Sequence, residues 1–171
     1  CWGLKQGGFY TDYARALIDS GEINSDGFIA KWQELGTVDA VGFEKMQHDY
    51  IKSAYYDVAC EYLKQNLFNV EKHSNALKDV VWSRAVQYGT GEIVNMFNDA
   101  LKLMEKALNI ELPNLSYIDD KRFDYDLIAG IYDTCMNLEW NSSALRDSLN
   151  NRFADEKFKA LKMLMEEVEG V

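Results

Sequence analysis

The stretch Ala76–Gly89, ALKDVVWSRAVQYG, most narrows what this chain can fold into. Leu77, Val80, Val81, Arg84, Ala85 and Tyr88 recur at three- and four-residue steps, the periodicity of one helix face. Ser74 precedes it with a hydroxyl able to accept from a free first-turn N–H. Gly89 follows it, and glycine enters a left-handed cap without strain. Trp82, Ser83 and Gln87 interrupt the apolar pattern with groups that can stack on a ligand or hydrogen-bond to it. The stretch therefore predicts the most enclosed helix of the fold, with Trp82 at least partly buried and one face turned into a cleft.

The flanking sequence repeats the helical signal. Tyr10–Ser20 reads as a short helix stopped by Gly21, and Asp26–Leu35 as a second, capped by Asp26 and ended by Gly36. Thr37 opens a long run to about Leu67, with Val38, Val41, Met46, Tyr50, Ile51, Ala54 and Tyr55 on its apolar face. Gly42 and Tyr55–Asp57 are its candidate breaks, and Phe68–His73 is a loop. Thr90 caps a helix over Glu92–Leu108 with a stripe of Ile93, Phe97, Leu101, Met104 and Leu108. Ile110–Arg122, which holds the one proline, is irregular. Asp124–Leu138 is helical, with Leu127, Ile128, Ile131, Tyr132 and Cys135 inward. A short helix over Ala144–Leu149 and a last one from about Arg152 to Val168 complete the chain, the last with Phe153, Phe158, Leu161, Leu164, Met165 and Val168 inward. No segment alternates as a strand, and no linker or repeat divides residues 1–171. The expectation is a single all-α domain of about seven or eight helices.

Composition narrows the partners. Eighteen Lys and Arg against 28 Asp and Glu give a net charge of −10. That balance opposes nucleic acid, whose binding depends on neutralising phosphates. No apolar run is long enough for a membrane span. Cys1, Cys60 and Cys135 are odd in number and lack metal spacing, so no disulfide framework, metal or cofactor is expected. The chain starts with Cys1 and shows no signal-peptide pattern, which points to a piece of a longer polypeptide.

No phosphate-binding loop, zinc motif, dinucleotide fingerprint or Ser-His-Asp order occurs. His48 reads as a hydrogen-bonded packing residue and His73 as a surface residue before a helix. Glu22, Asp26 and Glu92 lie where a cleft could form, but spacing selects no catalytic carboxylate, and helix capping accounts for Asp26 and Glu92. Gln6 lies in a glycine-rich loop, and Gln47, His48 and Gln87 lie among apolar neighbours. Polar groups in such surroundings need partners or a wet groove. The expectation is that Gln6, His48 and Gln87 face one concave surface.

Five motifs occur in one order: CWGLKQ at Cys1–Gln6, F-x-x-x-QHDYI at Phe43–Ile51, VWSRAVQYG at Val81–Gly89, IYD at Ile131–Asp133 and NRFADE at Asn151–Glu156. Together they resemble the lysozyme-like, chitosanase-related domain of phage tail and endolysin proteins and of type VI secretion spike (VgrG-related) proteins. The resemblance implies a lysozyme-like helical fold and a glycosidase cleaving peptidoglycan or a related aminosugar polymer, acting at the bacterial cell wall in an extracellular or phage-associated setting. Trp2, Gly3 and Gln6 match the first motif, while Cys1 stands where the family has Ser. The family's catalytic Glu precedes that motif, so the general acid is expected upstream of residue 1 and no residue of this chain is assigned to it. The substrate-binding residues implied are Trp2, Gln6, Gln47, His48, Trp82, Ser83 and Gln87. The alternative is a non-catalytic cell-wall-binding or assembly module of a phage tail or secretion spike.

Overall fold

The computed structural model describes residues 12–170. It is all-α, with no strand among the described residues. The chain divides between Ala54 and Tyr55 into two compact units.

The first unit holds α1 (Asp12–Asp19), α2 (Asp26–Val38) and α3 (Ala40–Ile51). Ala14, Leu17, Phe28, Phe43 and Met46 form its small core. Two expectations change here. The N-cap of α2 is Ser25, not Asp26, and its hydroxyl accepts from the Phe28 N–H. Gly36 does not end α2, which runs on to Val38. The chain breaks at Asp39 and not at Gly42, because the Asp39 carboxylate caps α3 by accepting from the Gly42 N–H at 3.2 Å. Val38 and Val41, expected on an apolar face, are instead exposed, at 78% and 81%.

Lys52–Tyr56 forms a π-helical turn leading into α4 (Asp57–Gln65). The second unit continues with α5 (Asn75–Tyr88), α6 (Ile93–Leu108), α7 (Asp124–Met136) and α8 (Arg146–Glu169). The caps of α5 are those expected: the Ser74 hydroxyl accepts from the Leu77 N–H at 3.1 Å, and Gly89 has φ of +87°. A 3-10 turn over Thr90–Glu92, without a side-chain cap, leads into α6. The apolar stripes of α6 and α7 are buried as the periodicity predicts, except Leu108 at 37% exposure. Gly130 lets α7 lie close on α6, since a Cβ there would stand 3.2 Å from the Ala100 carbonyl oxygen. The most enclosed helix is α7, with eight of thirteen residues buried, and not α5, with six of fourteen. Helix α5 spends its outer face on the groove described below, whereas α7 is covered by α6 on one side and α8 on the other.

The two terminal helices expected from the sequence are one continuous α8. Phe153 and Leu164 face inward, but Phe158, Met165 and Val168 are exposed. His73 is also not a surface residue. Its side chain has no exposure, is stacked on Phe68 at 4.3 Å, and lies between Asp124 (Nδ1 to Oδ1, 2.6 Å) and Asp119 (Nε2 to Oδ1, 3.3 Å). The Asp124 carboxylate also accepts from the Ser74 N–H at 2.8 Å, and Asp119 accepts from the Asn69 N–H at 2.7 Å and from Lys72. This network fastens the irregular segment before α7 to the start of α5.

Candidate functional site

Helices α5 and α8 run antiparallel, and three polar contacts set their register. At the start of α5, the Glu167 carboxylate accepts from the Asn75 and Ala76 N–H groups at 3.0 and 2.7 Å, a charged cap on free amides. Further along, Arg84 Nη2 donates to Glu156 Oε2 at 2.5 Å. At the end, Arg152 Nη2 donates to the Gln87 side-chain oxygen at 2.9 Å.

Between these contacts lies an open groove of about 410 Å³, within the range of small-ligand sites. Asp79, Trp82 and Ser83 line it from α5, Glu156, Lys159 and Met163 from α8, and Tyr132 from α7. The α5 residues share one face because they fall at i, i+3 and i+4; the α8 residues fall at i, i+3 and i+7. Ala76 and Ala160 are small enough to leave the space between the helices open.

Trp82 is half-buried, its ring lying over Tyr56 at 5.5 Å with 32° between the planes. Partial burial bears out the expectation for this residue and leaves part of the ring available to a ligand. It also lowers the cost of truncation. Trp82→Ala is expected to destabilise by about 1–3 kcal/mol, below the range for a fully packed aromatic. A urea midpoint read with an unchanged slope checks this.

Glu156 is held by two arginines. Arg84 reaches Oε2, and Arg152 Nε reaches Oε1 at 2.7 Å. Arg84 Nη2 also donates to the Ser83 hydroxyl at 2.9 Å. A single polar chain therefore runs from Gln87 through Arg152, Glu156 and Arg84 to Ser83. Asp79 contrasts with Glu156. Partial burial first, and the nearby Glu167 charge second, raise its carboxyl above the ordinary value.

Of the sequence-predicted binding residues, Trp82 and Ser83 line the groove. Gln87 is exposed on α5 and joins the site through Arg152. Gln47 belongs to the first unit, where it lines a different groove. His48 is also in the first unit. Its side chain is 60% exposed beside Asp49, so it is not the packing residue expected. Trp2 and Gln6 lie outside the described residues. The single concave surface expected for Gln6, His48 and Gln87 thus involves one residue outside the description and one from each unit.

Sequence reasoning assigned no role to Asp79, Glu156, Lys159 or Met163. Asp79 stands one turn before Ser83, and Glu156 ends the NRFADE motif, so both signals were in view. The pairing of α5 with α8, which gives them meaning, is a long-range fact. Among the described residues no group of three or more His, Cys, Asp or Glu is placed to hold a metal ion. No described helix is long and apolar enough to cross a membrane. Cys135 is buried against Arg84 and Met96, and burial pushes its thiol up.

The sequence model of one family, described as type VI secretion system spike protein VgrG3-like, C-terminal, matches residues 10–157. The chain is also similar to type VI secretion system spike protein VgrG3 of Vibrio cholerae serotype O1, at 32% identity over 73 residues. That match covers 42% of this chain and 7% of the spike protein.

Proposed function

This chain belongs to the VgrG3-like C-terminal family of type VI secretion system spike proteins, and on that premise we propose that it is a cell-wall-binding module of such a spike. The α5–α8 groove would hold an aminosugar chain of peptidoglycan. The observation that carries this reading is the groove lining. One wall offers the Trp82 ring, whose apolar face suits the C–H face of a sugar. The rim offers Ser83, Asp79 and Lys159, and the arginine-held Glu156, for hydroxyl and N-acetyl groups. Each Glu156 oxygen has one arginine contact, so it keeps lone-pair capacity for a sugar hydroxyl.

A second reading, glycoside hydrolysis, has one specific observation in its favour. Asp79 is a carboxyl pushed toward its protonated form at the groove edge, and a protonated carboxyl can pass its proton to a glycosidic oxygen as the C–O bond breaks. Against it, Glu156 is tied to two cations, which suits a fixed acceptor better than a base or nucleophile. Binding is therefore the reading the geometry supports best.

The test is to incubate the 171-residue chain with insoluble purified peptidoglycan, then measure both the protein in the pellet and the reducing ends in the supernatant. Protein in the pellet without new reducing ends is the expected result. New reducing ends that disappear in Asp79→Asn would favour hydrolysis. Protein left wholly in the supernatant, with no fragments released, would overturn both.

A further inference from the structure

The first unit carries its own groove, which the site above does not use. Helices α2 and α3 are separated by a single residue, Asp39, and leave between them an open space of about 420 Å³. Trp32, Gln33 and Thr37 line it from α2, and Phe43, Glu44 and Gln47 from α3. The positions fall at i, i+1 and i+5 on α2 and at i, i+1 and i+4 on α3, which spreads each set over about 100–140° of its helix.

Three features give this groove the character of a ligand site. First, Trp32 is held by an edge-on contact with the buried Phe43, centroids 4.9 Å apart and planes at 78°, yet is 39% exposed. It is a fixed aromatic plate with a wet side. Second, the side chains of Gln33, Glu44 and Gln47 make no hydrogen bond or ion pair among the described residues, although Gln47 is half-buried. Third, Gly36 also lines the groove, and a Cβ built on it would meet nothing within 4 Å. At Gly36 no side chain occupies this part of the groove, and there is room for one to enter it.

The chemistry of the lining narrows the ligand. Among the described residues no cation lines the groove, so phosphate, sulfate and carboxylate ligands lack a counter-charge there. Two amides can donate and accept, Glu44 can accept, and the tryptophan offers an apolar face. That set matches an uncharged N-acetylated sugar ring, with hydroxyls and an acetamide around its edge and C–H bonds on its face. We propose that the α2–α3 groove is a second saccharide site, for an N-acetylglucosamine-type ring and not for an acidic sugar. The choice of sugar rests on the wall-directed reading above. The site itself rests on the groove. Two weak sites on one chain raise retention on a polymer without tight binding at either.

The test is a two-dimensional nitrogen–proton spectrum of the tryptophan indoles in the 171-residue chain, titrated with the β-1,4-linked tetramer of N-acetylglucosamine. Trp32→Phe and Trp82→Phe assign the two indole signals. The Trp32 signal is expected to move saturably in the wild-type chain and in Trp82→Ala, and to stay fixed in Gly36→Leu, whose side chain fills the groove. Gln47→Ala is expected to weaken the effect about threefold to tenfold, the worth of one or two hydrogen bonds. An unmoved Trp32 signal in the folded wild-type chain overturns the proposal, as does a signal that still moves in Gly36→Leu. Movement of Trp82 alone overturns this second site and leaves the α5–α8 reading standing. Movement of Trp32 alone does the reverse.

Discussion

Arg84→Ala is expected to destabilise the second unit by about 3–5 kcal/mol, the range for removing one partner of a buried ion pair. Arg84 has no exposed surface. Its guanidinium lies 5.1 Å from the Tyr132 ring centre and 5.3 Å from that of Phe153, so it is part of the packing between α5, α7 and α8. It donates to Glu156, to Ser83 and, at 3.8 Å, to the Cys135 sulfur. Alanine would leave a cavity, two acceptors short of a donor, and Glu156 with only Arg152. Among the described residues Arg84 Nε has no hydrogen-bond partner, so the buried guanidinium keeps one unsatisfied donor. Arg84→Met removes the same charge from Glu156 but keeps most of the side-chain volume, so it is expected to recover only the cavity part of the alanine loss. Urea unfolding of the two variants decides it. Equal losses would mean that the charge, and not the packing, dominates; no loss in Arg84→Ala would contradict the account of this residue.

Asp124→Ala is expected to be comparably severe, about 3–5 kcal/mol. The carboxylate is 1% exposed and has two buried partners, His73 and the Ser74 N–H. Alanine would strip both at once at the start of α5. The same network predicts a pH dependence. Burial alone would raise the Asp124 carboxyl, but hydrogen bonds from His73 and from the Ser74 hydroxyl and amide outweigh it and hold the group below its ordinary value of 3.8. Asp119 behaves likewise: burial raises it, and Lys72, the Asn69 amide and His73 bring it below 3.8. A carboxyl with a lowered value in the fold binds fewer protons there than in the unfolded chain. Its stabilisation is therefore present above pH 3.8 and is lost as pH falls through the lower folded value. Urea midpoints measured from pH 6 downward should fall steeply below about pH 4, and less steeply in Asp119→Asn. A flat profile through that range would contradict the role given to the pair.

Local signals carried the second unit far. The hydroxyl of Ser74, the positive φ of Gly89 and the stripes on α6 and α7 are decided within a few residues, and all are readable in the sequence. Arg84 was readable as an inward position from its spacing. Its partner was not, because Glu156 lies 72 residues away. His73 shows the same limit: the carboxylates that bury it come from 46 and 51 residues downstream. The first unit was harder to read because two breaking signals competed. Gly36 and Gly42 looked like stops, but Asp39, between them, supplies the cap that a new helix requires. Of the candidate site, Trp82 and Ser83 were legible as misfits in an apolar face. The face that meets them on α8 became visible only with the antiparallel pairing.

The most direct measurement of the central claim is co-sedimentation of the chain with insoluble peptidoglycan, comparing wild type with Trp82→Ala at a temperature where both are folded. The groove account predicts that the wild-type chain pellets saturably. It predicts that Trp82→Ala binds about tenfold more weakly or worse, as loss of one well-covered aromatic contact implies. A wild-type chain that stays in the supernatant, or a Trp82→Ala chain that pellets as well as wild type, would contradict it.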